Sequence, residues 1–293
     1  HTISRRQRQM CIRDSVGAMG FAGASGAAPS SPEDVVSQVG QGNIEAAHEL
    51  LQTCDTTLAK AAHDPYEARG LIYAMLIDTD PKIAAPQLQK IHAHAEDGVP
   101  EHTENLLPLI RGSSQNQLLL LLEMAMPTLK ELSYAQYKRF SANTAELIVF
   151  DQRVDIFEWV LHRVMTKDLY AHFEQPHRSQ GRIGSLRRLQ PELQHLLSVL
   201  AHPSGAAATC YKAGAEHLHL AQPMSALEYF DYEQLNSALA QLRELKPHLK
   251  QQLLEACAAV ALADGQMHPD QHALLHGIAA TLDCPLPLIA QSE

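Results

Sequence analysis

The feature that most constrains this chain is the way it announces the starts of helices. Ser31-Pro32-Glu33-Asp34, Asp64-Pro65-Tyr66-Glu67 and Asp80-Pro81 each place a capping side chain before a proline at the first helical position. A capping oxygen satisfies an orphan N–H group, and the fixed φ of proline suits the first turn. Ser133-x-x-Gln136 and Asp155-x-x-Glu158 add capping boxes, in which cap and third residue satisfy each other's backbone. Behind these starts the apolar residues keep helical spacing: Ala68, Leu71, Ile72 and Leu76, then Ile83, Leu88 and Ile91. Further helices are predicted at 118–129, around Tyr137 to Leu147, after Asp155, and at 193–200, 206–220, 232–245 and 247–263. No apolar run of period two reaches a useful length. With 45% apolar but only 5% aromatic residues, and Leu and Ala dominant, propensity favours helices over strands. The expected fold is all-α, a multi-helix array of antiparallel helical hairpins.

The last forty residues carry the sharpest local signal. An apolar helix through Cys257, Val260 and Leu262 meets the turn dipeptide Asp264-Gly265, and a second helix restarts at His268-Pro269 and runs through Leu274, Leu275 and Ile278 to Cys284-Pro285. A fainter copy lies 113 positions earlier. There Asp151 falls in register with Asp264, Val154 with Met267, and Leu161 with Leu274. Two repeated hairpins closed by an aspartate turn are predicted, with Val154 and Met267 pointing inward.

Composition and spacing divide the chain. Met10-Cys11-Ile12-Arg13-Asp14 is what ATGTGTATAAGAGAC encodes, a string like the end of a sequencing adapter, so residues 1–15 read as a translated scar outside the fold. On that reading the chain is a fragment. Residues 16–42 open on a Gly, Ala and Ser rich stretch and read as a flexible linker. A helical domain is expected over 43–175, a polar linker with Gly181 and Gly184 over 176–190, and a second helical domain over 191–293. The formal charge is −10, and the scar holds four of the arginines, so the remainder is more acidic still. Phosphate backbones are repelled by such a surface, which argues against nucleic acid as a partner. Cys54, Cys210, Cys257 and Cys284 have no CxxC spacing and read as reduced, mostly buried thiols. The densest apolar run, 118–122, is broken by Glu123, and no stretch approaches the roughly 18 apolar residues of a membrane span.

Candidate chemistry is sparse. His48-Glu49-Leu50-Leu51-Gln52 approaches the HExxH zinc motif, but Gln52 stands where the second histidine belongs. His268, His272 and His276 recur every fourth residue, a spacing that can hold a metal; they are read as the polar outer face of a helix whose inner face is Leu274, Leu275 and Ile278. His92 with His94, and His217 with His219, are further candidates. The turn acids Asp151, Asp155, Glu158, Asp264 and Asp270 could hold a divalent cation through oxygen, and capping and turn chemistry accounts for them equally well. No GxSxG elbow is present. No catalytic, cofactor-binding or metal-ligating residue is therefore assigned.

The hairpin Ala261-Leu262-Ala263-Asp264-Gly265-Gln266-Met267 with its following helix resembles the TerB helical domain. Three blocks in order, His63 to Leu76, Asp155 to Leu161 and Leu254 to Pro285, resemble the C-terminal cytosolic region of HtpX-like bacterial membrane zinc metallopeptidases, described as Zn-dependent proteases with chaperone function. The resemblance spans about residues 16–290. It implies two TerB-like repeats and a non-catalytic accessory or regulatory region on the cytoplasmic side of the inner membrane. It also implies that the HExxH motif, the zinc and the membrane helices belong to domains preceding this region. The partners implied are those peptidase and membrane domains, and protein substrates. No span lies in the region itself. Gln271 replaces an acid often found after the Asp-Gly turn. The alternative is a free-standing TerB-like protein-interaction module.

Overall fold

The computed structural model describes residues 50–151, 153–174, 181–227, 230–265 and 267–284. The arm 1–15, the linker 16–42, the start at Ser31-Pro32 and the pair His48-Glu49 lie outside the described residues, as do positions 176–180 of the polar linker.

Local capping explains where the first helices begin. Asp55 accepts from Thr57 N at 2.7 Å to start α1 (Thr56–Ala61). Asp64 accepts from Tyr66 N and Glu67 N at 2.8 and 3.0 Å to start α2 (Pro65–Leu76), and Asp80 accepts from Lys82 N to start α3 (Pro81–His94). α4 (Val99–Arg111) starts without a side-chain cap, at Gly98. Capping boxes open α5 (Gln115–Leu129) at Ser114, α6 (Tyr134–Ile148) at Ser133 and α7 (Ile156–Met165) at Asp155. The chain leaves α7 through a π-helical turn, Thr166–Tyr170, and continues to Phe173. A 3₁₀ turn at Leu186–Leu189 leads into α8 (Gln190–Ala201), followed by α9 (Ala207–His217), α10 (Tyr232–Leu242), α11 (Pro247–Leu262) and α12 (Pro269–Thr281). The fold is all-α; among the described residues the only β pairing is an isolated bridge between Ile183 and Leu245. That bridge, closed by Ile183 N to Glu244 O at 2.9 Å and Lys246 N to Ile183 O at 3.0 Å, ties residues near Gly181 and Gly184 to the start of α11.

Among the described residues two apolar cores result. In the first, α2 buries Ala68, Leu71, Ile72 and Leu76 against α4, α5 and α6. In the second, α8 buries Leu193, Leu196, Leu197 and Leu200 among α9, α10 and α11. α2 packs most closely on α4, α9 on α11 and α8 on α10, so the tightest pairs are mostly helices two apart in sequence.

Two helices serve both cores. α5 turns Leu121 and Leu122 to the first and Leu119 and Leu120 to the second, while α7 turns Leu161 to the first and Trp159 and Val160 to the second. α12 lies against α7 and α5 on one side and α11 and α8 on another. The crossing of α7 and α12 is close because Gly277 faces the indole. A Cβ there would lie 2.5 Å from Trp159 Cζ3. Trp159 is held from its other edge by Nε1 donating to Asn236 Oδ1 at 2.7 Å.

The spacing of 113 residues holds at the helix starts. Asp155 and His268 are both N-caps of capping boxes, completed by Glu158 and Gln271, and Leu161 and Leu274 are both fully buried. Val154 and Met267 are half-buried against the second core. Gly265 adopts φ +77°, the left-handed conformation an Asp-Gly turn needs and other residues rarely take.

Candidate functional site

The histidine stripe is not an outer face. His272 is fully buried and His276 is 5% exposed; only His268 projects into solvent, its side chain 48% exposed. The outward reading followed from giving α12 a single apolar face, but the helix is enclosed between the two cores, and Gln271 through Ala279 are all buried. A helix buried all round must satisfy its polar residues inside. Gln271 Nε2 donates to Leu200 O at 3.2 Å, and His272 Nδ1 donates to Asn116 Oδ1 at 2.8 Å. The rings of His272 and His276 meet edge to face, centroids 5.1 Å apart. Burial, followed by the neighbouring His276, pushes His272 down to about 3, so its ring is neutral at ordinary pH.

His276 leads out of this seam into a cavity of about 270 Å³. Its Nδ1 lies 3.5 Å from Glu123 Oε1 on α5. Val164, the π-turn residues Lys167 and Asp168, and Cys284 complete the wall. The π turn matters here because a locally widened helix redirects its side chains, and such turns recur at functional sites. Burial pushes Glu123 up to about 7, with Asp168 adding to the rise and Lys167 opposing it. The side chain is nevertheless 42% exposed, so its carboxyl lines the cavity while still reaching solvent. The carboxyl and the imidazole, 3.5 Å apart, are within reach of a shared proton. The neighbouring thiol of Cys284 is pushed up by burial, which keeps it a poor nucleophile.

The other candidates separate. Asp151, Asp155, Glu158 and Asp270 draw together where the two hairpin starts meet. Burial first, then Asp155, pushes Glu158 up to about 8, with Asp151 and Asp78 adding to the rise. Burial also raises Asp155, helped by Asp270 and Asp151. Their oxygens are used locally: Asp151 accepts from Arg153 N, Asp155 from Glu158 N, and Asp270 from Gln115 Nε2. Asp264 is elsewhere, taking the Ser204 hydroxyl at 2.6 Å. Ser204 Oγ in turn accepts from Ala206 N at 2.9 Å and from the buried thiol of Cys210 at 3.3 Å, so this chain ties the Asp-Gly turn to the loop before α9. His92 meets Glu104 at 2.8 Å and His217 meets Glu255 at 3.6 Å, each on its own part of the surface. No group of three or more His, Cys, Asp or Glu side chains among the described residues is arranged to hold a metal ion. Cys54, Cys210 and Cys257 are buried free thiols, and Cys284 is half-buried. Among the described residues no helix is long and apolar enough to cross a membrane.

In the sequence Glu123 is legible only as the residue that breaks the 118–122 apolar run. That interruption is the signal of the site: a charge in the middle of an otherwise buried helix needs a cavity or a partner, and Glu123 has both. No family model matches the chain, and neither does any curated protein or solved structure.

Proposed function

We propose that this chain is the non-catalytic accessory region of a membrane-anchored bacterial zinc metallopeptidase, acting on the cytoplasmic side in substrate engagement or regulation. The observation that supports this reading is the placement of the three blocks that resemble HtpX-like proteins. The block ending at Leu76 is the central helix of the first core, the block at Asp155–Leu161 opens the shared helix α7, and the block from Leu254 forms α11 and α12. α7 and α12 pack directly on each other, and α2 joins them in one framework through α5 and α6, which it packs against. Segments that carry a family pattern for structural reasons belong in such a framework. Under this reading zinc and the hydrolytic water reside in the peptidase domain, and the surface of the helical body serves other polypeptides.

Reading the coding sequence upstream of this segment, and expressing the whole frame, tests the proposal. An HExxH motif accompanied by apolar spans is expected, together with proteolysis of a membrane substrate that slows when residues 43–293 are deleted. A start codon near Val16 with a product of this length overturns it in favour of a free-standing TerB-like interaction module.

A further inference from the structure

Beside the Glu123 cavity, on the far side of the π turn, lies a second one of about 200 Å³ between α7 and the end of α12. Its cationic wall is built by Arg163, Lys167 and Arg243. Arg163 is half-buried, and its Nε is sealed from solvent with no hydrogen-bond partner. Its guanidinium lies over the Trp159 ring, 5.7 Å from the centroid. Neither Arg163 nor Lys167 has a carboxylate within ion-pair distance among the described residues. Burying a guanidinium without a counter-charge is costly, and burial is the sole cause that lowers its proton affinity here.

Arg243 pairs with Asp283, and Lys167 also borders the Glu123 cavity and opposes the rise of that carboxyl, but among the described residues Arg163 has no hydrogen-bond partner at Nε. Basic side chains often serve the last carbonyls of a helix, and α12 ends at this cavity. Four of those carbonyls are already taken: Gly277 O by the Thr281 hydroxyl, Ile278 O by Leu282 N, Ala279 O by Cys284 N and Ala280 O by Asp283 N. Leu282 O is held by Lys250 Nζ at 2.9 Å. The two acids in the wall are also engaged, Asp283 with Arg243 at 3.0 Å and Asp168 with Lys130 at 3.7 Å. Thr166 and Tyr170, on the π turn, bring hydroxyl donors to the same cavity.

We infer that this cavity binds the oxyanion group of a small ligand, a phosphate or a carboxylate, with Arg163 and Lys167 as its principal cations. Arg163 offers a planar fork suited to two oxygens, backed by the indole, and Lys167, four residues on, offers a point charge to the same cavity. Arg243, fixed by Asp283, adds positive potential. The inference is independent of the proposed accessory role.

The test uses the full chain, with inorganic phosphate and acetate titrated separately at constant ionic strength set by sodium chloride, read by melting temperature and by calorimetry. A saturable rise in melting temperature is expected with at least one of the two anions; which one responds assigns the group. Arg163→Gln and Lys167→Gln should each weaken apparent binding about tenfold or more, the equivalent of one charge-assisted hydrogen bond. Lys212→Gln, which removes a cation 74% exposed on α9, should leave it unchanged. If Arg163→Gln does not fold, Lys167→Gln at the cavity mouth decides alone. The inference is overturned by the absence of saturable binding with both anions, or by a Lys167→Gln titration that matches the parent chain.

Discussion

His272→Ala tests how α12 is placed, because the sequence and the structure give opposite forecasts for it. On an outward face the change would cost less than about 0.5 kcal/mol, as surface substitutions usually do. In the structure it removes a fully buried ring and leaves Asn116 Oδ1 without its donor. The cavity and lost burial alone cost about 2–4 kcal/mol by analogy with other large buried side chains, and the stranded amide adds to this. His268→Ala, in the same helix, removes only an exposed cap whose Nδ1 accepts from Asp270 N at 3.3 Å, and should cost about 1 kcal/mol or less.

The pH dependence gives a second, independent reading of the same residue. His272 is pushed down to about 3 in the folded chain, against an ordinary value of 6.5. Its folded value is the lower one, so the unfolded chain binds the extra proton. Stability from this group is complete above pH 6.5 and is lost progressively as pH falls from 6.5 towards 3. Linkage puts the loss between pH 7 and pH 5 at about 2 kcal/mol. Glu123 and Glu158 are raised and titrate in the opposite sense, so the parent chain's total slope is mixed. The difference between parent and His272→Ala removes their share. Urea unfolding at pH 7 and pH 5 should show the gap shrinking by about 2 kcal/mol. A gap that is constant with pH, or a cost at pH 7 no larger than that of His268→Ala, would refute the placement of this ring between the cores.

Gly277→Ala drives a methyl group into the indole of Trp159 and should destabilise by about 1–3 kcal/mol, with a shift in tryptophan fluorescence that reports the displaced ring. Glu96→Gln removes the carboxylate that pairs with Arg69, whose side chain is 3% exposed, and should cost about 3 kcal/mol or more in chemical denaturation because a buried cation loses its principal partner. Glu158→Gln keeps the capping acceptor but cannot ionise; since Glu158 is raised to about 8, its charged form burdens the fold as pH rises through that value. The variant should therefore melt higher than the parent at pH 9, with the advantage vanishing only below the ordinary value of 4.5, by about pH 4. A parent chain that is equally stable at pH 9 would contradict the burial of that carboxyl.

Legibility varied with how local the cause was. Asp64-Pro65, Asp80-Pro81 and the boxes at Ser133 and Asp155 each fix a helix start within four residues, so α2, α3, α6 and α7 could be placed from sequence. The box at Ser114 uses the same device, and α5 consequently begins three residues before the predicted Leu118. α4 was not anticipated. Pro100 and Glu101 mark its first turn, but its cap is Gly98 at φ +87° with no side-chain oxygen and Pro108 lies inside it, so the local signals conflict and the helix is held by burying Val99, Leu106, Leu107 and Ile110. Tertiary packing outweighs propensity there.

The candidate site was least legible because each of its parts is set by contacts between distant elements. The π turn at Thr166–Tyr170 follows an uninterrupted helical sequence and has no local marker. The inward stripe His272 and His276 is spaced like any solvated face, and becomes internal only because α5 and α7 each have two apolar sides and therefore bring a core to both flanks of α12. A pattern of period 3.6 identifies which residues share a face, but whether the opposite face meets water is decided by what else packs there. For α12 the decisive partners are Trp159 and Asn116, more than a hundred residues away, and the indole reaches the helix only because position 277 carries no side chain. The same glycine therefore brings α7 and its π turn onto the end of α12, and so places Glu123, His276 and the Arg163 cavity on either side of a single crossing.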